Sequence, residues 1–253
     1  MRVTGDNIRF SEVFVKNLLQ AASFARLSYR DKIAGTTKYE NKKTSMVAFL
    51  KRNNEEDWLV FRGTDSLKDW AYNANFLPVR VQGSWVHCGF WLAHRSLWKQ
   101  IRKDLNPSKR LVIVGHSLGG ALAELSVLYL KKQNFKHIDL YTFGKPNVFA
   151  KWQRKKQAQL AFSAFKQQVS VVHSSDVVAR IPRLGYRAAL NQTQLWLGPD
   201  GNDVVDPASD LKRKEWDLSE SVADHGMDGY CDRIELFTKN LQKVAALALK
   251  LRE

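Results

Sequence analysis

The sequence predicts a single α/β domain built on a central, mostly parallel sheet flanked by helices. Apolar runs short enough for strands alternate with helix-patterned segments through the middle of the chain, the order that yields parallel strands covered on both faces. One such alternation, Arg110–Leu125 (RLVIVGHSLGGALAEL), joins a buried-strand run, a glycine-flanked turn and a string of helix formers without a break. At 253 residues and 44% hydrophobic composition, the chain is long enough to form one core without disulfide or metal staples. No internal repeat, low-complexity tract or linker divides residues 1–253, so one domain is expected.

Taken in order, Ser11–Arg30 reads as a helix with Ser11 as its cap. Phe14, Leu18, Ala21, Ala22, Ala25 and Tyr29 recur at three- and four-residue spacing and give it one apolar face. Ser45–Leu50 and Trp58–Phe61 read as strands of a hairpin, separated by the charged turn Arg52–Asp57. Residues 65–76 follow, with Leu67, Trp70, Ala71 and Ala74 at i, i+3, i+4 and i+7. This narrow apolar stripe fits a movable lid over an apolar cleft, or an ordinary surface helix. Trp91–Leu105 is helical in pattern and is ended by Asn106-Pro107. Beyond the central alternation, Ile138–Phe143 and Val169–His173 are strands, with Asn147–Gln167 helical in pattern between them. Arg187–Leu197 alternates as a strand, 198–210 reads as a loop, and Tyr230–Leu251 closes the chain as a helix with one apolar face.

Composition narrows the function classes. No run of about 18 apolar residues occurs that would cross a membrane as a helix. The opening MRVTGDNIRFSEVF lacks the apolar centre of a signal peptide, so a cytoplasmic protein is the default expectation, with export by a specialised route as the alternative. Cys88 and Cys231 stand far apart and outside any CxxC pair; they are expected to be free thiols, and no metal site or cofactor is implied. The net charge of +15 is spread along the chain, with local runs at Lys151–Lys156 and Lys212–Lys214. It reads either as a solvated surface or as attraction to an anionic lipid surface. No nucleic-acid recognition motif is present, so nucleic acid is not an expected partner.

The chemistry is concentrated at Gly115-His116-Ser117-Leu118-Gly119. A bare G-x-S-x-G arises by chance in roughly one chain in ten of this length; the strand before it and the helix after it make it a nucleophile elbow, with Ser117 at the tip. The backbone N–H of Leu118 opens the helix and points where an oxyanion would develop. A serine hydroxyl needs a base, and the base needs an orienting acid. In α/β-hydrolases these follow in the order Ser, Asp or Glu, His. Downstream of Ser117 the histidines are His137, His173 and His225. His137 falls at the wrong end of the sheet, and His225 lies in a glycine-flanked loop before the last helix. Asp176 follows a buried strand; Asp139, Asp200, Asp203 and Asp206 remain alternatives.

These motifs resemble the class 3, or fungal-type, lipases of the α/β-hydrolase group. The resemblance runs through VFRGT (Val60–Thr64), SLKDW (Ser66–Trp70), VHCGF (Val86–Phe90), IVGHSLGGALA (Ile113–Ala123), TFGKPNV (Thr142–Val148) and VHSSDVVARIP (Val172–Pro182) to the His225 loop. It implies Ser117 as nucleophile, Asp176 as orienting acid and His225 as base. It also implies an oxyanion hole from Thr64 and the Leu118 N–H, and a lid at about 65–76. The implied reaction is hydrolysis of acylglycerol esters through an acyl-enzyme at a lipid interface, with no cofactor. A phospholipase A acting on anionic membrane phospholipids is the alternative, and a non-catalytic lipid-binding protein a minor one. Two departures are visible: Asn147 follows Pro146 where the family often has arginine, and Ala179 replaces a proline.

Overall fold

A computed structural model of the chain describes residues 11–64, 77–130, 133–135, 137–153, 165–173, 176–182, 185–187, 193–198, 204–206 and 224–250. The expected lid, with Leu67, Trp70, Ala71 and Ala74, lies outside the described residues.

Among the described residues, eight strands form the main sheet: β1 (Thr36–Asn41), β2 (Met46–Arg52), β3 (Glu56–Phe61), β6 (Arg110–His116), β7 (Ile138–Phe143), β9 (Phe165–His173), β11 (Thr193–Leu197) and β12 (Val204–Asp206), side by side in that order. The pairs from β3 through β11 are parallel, and the edge pairs β1–β2, β2–β3 and β11–β12 are antiparallel. This is the α/β-hydrolase fold, a mostly parallel sheet with helices on both faces. A small second sheet is made by β4 (Pro78–Val81), β5 (Ser84–His87), β8 (Phe149–Ala150) and β10 (Tyr186–Arg187).

Successive strand residues point to opposite faces, and the core divides accordingly. Leu59, Phe61, Leu111 and Ile113 belong to one apolar cluster, packed under α2 (Cys88–Ile101) and α3 (Leu118–Leu130). Trp58, Val60, Val112 and Val114 belong to the other, packed under α1 (Glu12–Ser28) and α4 (Met227–Lys250). Ser11 caps α1 by accepting from the Phe14 N–H at 3.1 Å, and Leu18, Ala21 and Ala25 are fully buried along its apolar face. Burying one Leu18-sized side chain contributes about 1.5–3 kcal/mol.

Several elements differ from the sequence expectation. The polar strand β1 has no apolar alternation because only Tyr39 of its six residues is buried, as suits an edge. The β4–β5 hairpin turns through Gln82 and Gly83, both with positive φ. Asn147–Gln167 is not one helix: its described ends are β8, a 3₁₀ turn at Lys151–Gln153 and the start of β9. Alternation within FKQQVSVVH extends β9 beyond the apolar run that signals it. Arg187–Leu197 divides between β10 and β11, which lie in different sheets. Cys88 and Cys231 are free thiols.

Two core histidines carry a pH consequence. Burial pushes His87 down to about 4 and His94 down to about 3. His94 is stacked on Trp98 and Tyr129 at centroid distances of 4.9 and 5.1 Å, with Nε2 3.0 Å from Ser126 Oγ. Both are neutral when folded and take up protons when unfolded, so stability is complete above the ordinary histidine value of 6.5 and falls below it. Urea unfolding between pH 7 and pH 4.5 is expected to show a decline of about 1.4 kcal/mol per pH unit for each such histidine. His94→Gln should remove one histidine's share of the slope. A flat profile over that interval would contradict the assignment.

Candidate active site

Four neighbouring parallel strands end at one edge of the sheet, and the chain leaving each carries a candidate residue. The register aligns Phe61 with Gly115, His116 with Phe143, and Phe143 with Val171. Thr64, Ser117, Gly144 and Asp176 therefore leave β3, β6, β7 and β9 at their carboxyl ends, where open α/β sheets bind ligands.

Ser117 joins β6 to α3 with φ of 56°, a left-handed conformation that strains a side chain-bearing residue by about 1–3 kcal/mol. Its surroundings enforce that conformation. The Ser117 N–H donates to the Phe143 carbonyl at 2.9 Å, and a Cβ on Gly115 would collide with the Gly119 backbone. Ser117 is fully buried, and its Oγ has no hydrogen-bond partner among the described residues. Leu118 begins α3, so its N–H has no carbonyl four residues back within the helix. A Cβ on Gly119 would collide with the Phe61 carbonyl, so the start of α3 packs on the chain that runs into Thr64.

Asp176 is fully buried and has three donors among the described residues. Oδ1 accepts the Val178 N–H at 2.8 Å, while Oδ2 accepts from His225 Nδ1 at 2.7 Å and from the Tyr230 hydroxyl at 2.6 Å. The Tyr230 oxygen in turn accepts the His173 N–H at 3.0 Å. Burial, reinforced by the Asp176 charge, holds the Tyr230 phenol well above its ordinary range, so it remains a donor. His225 is 9% exposed, and its Nε2 has no hydrogen-bond partner among the described residues. An imidazole oriented through Nδ1 with Nε2 open is the arrangement of a general base.

Gly144 ties the elbow to this cluster. Its φ is 54°, and a Cβ there would lie 2.6 Å from Asp176 Oδ2, 2.8 Å from the Tyr230 oxygen and 3.1 Å from His225 Cε1. Only glycine lets the backbone next to Phe143, the residue that anchors Ser117, approach the acid and the imidazole so closely. Lys145 follows and forms an ion pair of 3.0 Å with Glu124 of α3; both side chains are 1% exposed. Asn147, one of the departures noted above, donates from Nδ2 to the Arg180 and Pro182 carbonyls at 3.2 Å, and its N–H reaches the Ile181 carbonyl at 2.8 Å. It fixes the loop that follows Asp176.

The alternatives fall away from this edge. His137 precedes β7, and Asp139 pairs there with Arg110 at 2.5 Å, both at the amino end of the parallel strands. His173 ends β9 on the correct edge but faces Asp224 at 3.8 Å. Asp206 closes β12, and Asp200 and Asp203 lie outside the described residues. Tyr230, Gly144, Lys145 and Glu124 were not singled out from sequence; a lone tyrosine on the apolar face of the last helix was the one available signal.

The family described as Lipase (class 3) matches residues 58–186, about half of the chain. A secreted mono- and diacylglycerol lipase A of Penicillium cyclopium is 30% identical over 176 residues, covering 64% of this chain and 54% of that protein. A secreted mono- and diacylglycerol lipase 1 of Fusarium solani is 31% identical over 176 residues, covering 64% and 51%. The chain thus spans about half the length of the curated relatives it matches. Among solved structures, the triacylglyceride lipase of Rhizomucor miehei superposes with a TM-score of 0.69 at 22% identity, over 87% of this chain and 98% of that one, a likeness of fold. Relatives described as secreted overturn the cytoplasmic expectation. Free thiols and a polar opening stretch describe the chain, not its destination.

The Glu124–Lys145 pair yields a stability prediction. Lys145→Met leaves a buried carboxylate without its cation and is expected to cost about 3–5 kcal/mol in urea unfolding, much of it recovered in the double variant Lys145→Met/Glu124→Leu. A loss under about 1 kcal/mol would show that the pair does not hold the Gly144 turn against α3.

Proposed function

The chain belongs to the class 3 lipase family, and from that premise we propose that it is an exported serine hydrolase that cleaves acylglycerol esters through an acyl-enzyme. The observation that carries the reading is the buried Asp176–His225 hydrogen bond of 2.7 Å, set against a strained Ser117 whose Oγ is unengaged. His225 Nε2 takes the Ser117 proton as Oγ attacks the ester carbonyl, and the Thr64 and Leu118 donors receive the charge on the carbonyl oxygen. The same imidazolium protonates the departing glycerol oxygen as its bond to the acyl carbon breaks. Water, deprotonated by His225, then cleaves the acyl-enzyme and releases the fatty acid.

Phospholipids are a second substrate class, favoured by the net charge of +15, which draws the protein toward anionic surfaces. Comparing hydrolysis of anionic and zwitterionic vesicles at low and high salt separates the two substrates, because surface attraction is screened by salt.

Ser117→Ala is expected to abolish ester turnover and labelling by a fluorophosphonate, whereas the parent protein labels with one equivalent. Thr64→Ala should retain labelling but lower kcat by about a hundredfold to a thousandfold. Undiminished turnover in Ser117→Ala would overturn the reading, and a parent protein that neither labels at Ser117 nor turns over ester would favour a lipid-binding role.

A further inference from the structure

We infer that Tyr29 and His116 form a one-way hydrogen-bond relay that positions the main chain of His225. The inference rests on the proposed hydrolase reading for its consequence, although the polarity of the relay does not depend on that reading. His116 Nε2 lies 2.8 Å from the His225 carbonyl oxygen, and Tyr29 Oη lies 2.7 Å from His116 Nδ1. A carbonyl can only accept, so the His116 proton resides on Nε2. A neutral imidazole then has an acceptor at Nδ1, and the Tyr29 hydroxyl must donate to it. Each hydrogen in the chain Tyr29 to His116 to His225 is thereby assigned. Full burial, followed by the nearby His225, holds His116 well below its ordinary value and so keeps it neutral.

The relay connects elements that are remote in sequence. Tyr29 terminates α1, His116 is the last residue of β6, and His225 lies in the turn before α4. The His116 ring packs against His225 at a centroid distance of 4.6 Å and an interplanar angle of 30°. The Tyr29 ring meets His116 edge-on at 5.6 Å. A Cβ on Gly63 would collide with the Tyr29 hydroxyl and lie 2.8 Å from the His116 carbonyl. The same hydroxyl therefore abuts the backbone that leads into Thr64.

Two effects follow for the base. The His225 main chain is fixed from inside the molecule at its carbonyl, while its ring is fixed at Nδ1 by Asp176. With both ends held, Nε2 has one direction to face. A neutral His116 also places no second cation against the imidazolium that forms on His225. Without the Tyr29 donor, His116 is free to carry its proton on Nδ1, which would turn an Nε2 lone pair toward the His225 carbonyl.

The test combines ester kinetics with ¹⁵N spectra of the histidine side chains. Tyr29→Phe and His116→Leu are each expected to lower kcat about tenfold to a hundredfold with KM little changed, as for a base displaced by a fraction of an ångström. The double variant should be no worse than His116→Leu, because both changes break one chain. His116→Gln, whose amide N–H reaches about where Nε2–H does, should recover kcat to within about threefold of the parent. In the parent, the spectra should show His116 protonated on Nε2. Factors that multiply in the double variant, a His116→Gln protein as slow as His116→Leu, or an Nδ1–H signal for His116 would each overturn the relay. An Nε2–H signal in a protein that hydrolyses no ester would overturn the hydrolase reading instead.

Discussion

A carboxylate removed from water must be met by donors, and the burial of Asp176 is the constraint that organises this molecule. Its donors come from three places: the Val178 N–H of its own loop, the His225 ring before α4, and the Tyr230 hydroxyl one turn into α4. To bring these together, α4 must lie on the same face as α1, and the turn after β7 must pass without a side chain. Gly144 satisfies the second requirement, and the shared apolar cluster of α1 and α4 satisfies the first. The packing of two helices far from the elbow in sequence thereby sets the orientation of one imidazole ring.

The elbow shows a second use of rigidity. Ser117 is held in an unfavourable backbone conformation by a hydrogen bond to Phe143 and by glycines that let strand and helix touch. Its neighbours are equally committed: Lys145 is paired in the core with Glu124, and the 177–182 loop is bound by Asn147. Strain at one residue persists because every adjoining segment is fixed by its own buried contacts. In the proposed mechanism this rigidity has a purpose, since donors already in place need no rearrangement as charge develops.

Much of this was legible in the sequence where the signal is local. The strand–turn–helix at Arg110–Leu125, the Ser11 cap and the Ile138–Phe143 strand depend on neighbours within a few residues. Chain order and family resemblance, not periodicity, pointed to Asp176 and His225, which the fold brings to within 2.7 Å of each other. Contacts between remote residues were not legible. Nothing near Tyr29 in sequence points to His116, and Glu124 reads as the one charged residue in a mostly apolar helix until Lys145 is seen beside it. The region 147–167 was misread because a basic, alanine-containing stretch carries helical propensity, whereas its described ends pair with strands remote in sequence.

The six histidines show how physics distinguishes residues that sequence alone leaves equivalent. His87, His94 and His116 are held low by burial, so a proton on any of them is unfavourable. His137 belongs to the opposite end of the sheet, 3.5 Å from Asp139, whose carboxylate is already taken by Arg110. His173 is also lowered by burial, and its backbone N–H is used to hold Tyr230. His225 alone combines a carboxylate at 2.7 Å from Nδ1 with an Nε2 that no described residue engages. A base must gain a proton at modest cost and present a vacant lone pair to its substrate. Chain order proposed His225 for that role, and burial that makes a proton unfavourable on His87, His94, His116 and His173 supplies an independent reason for the same choice.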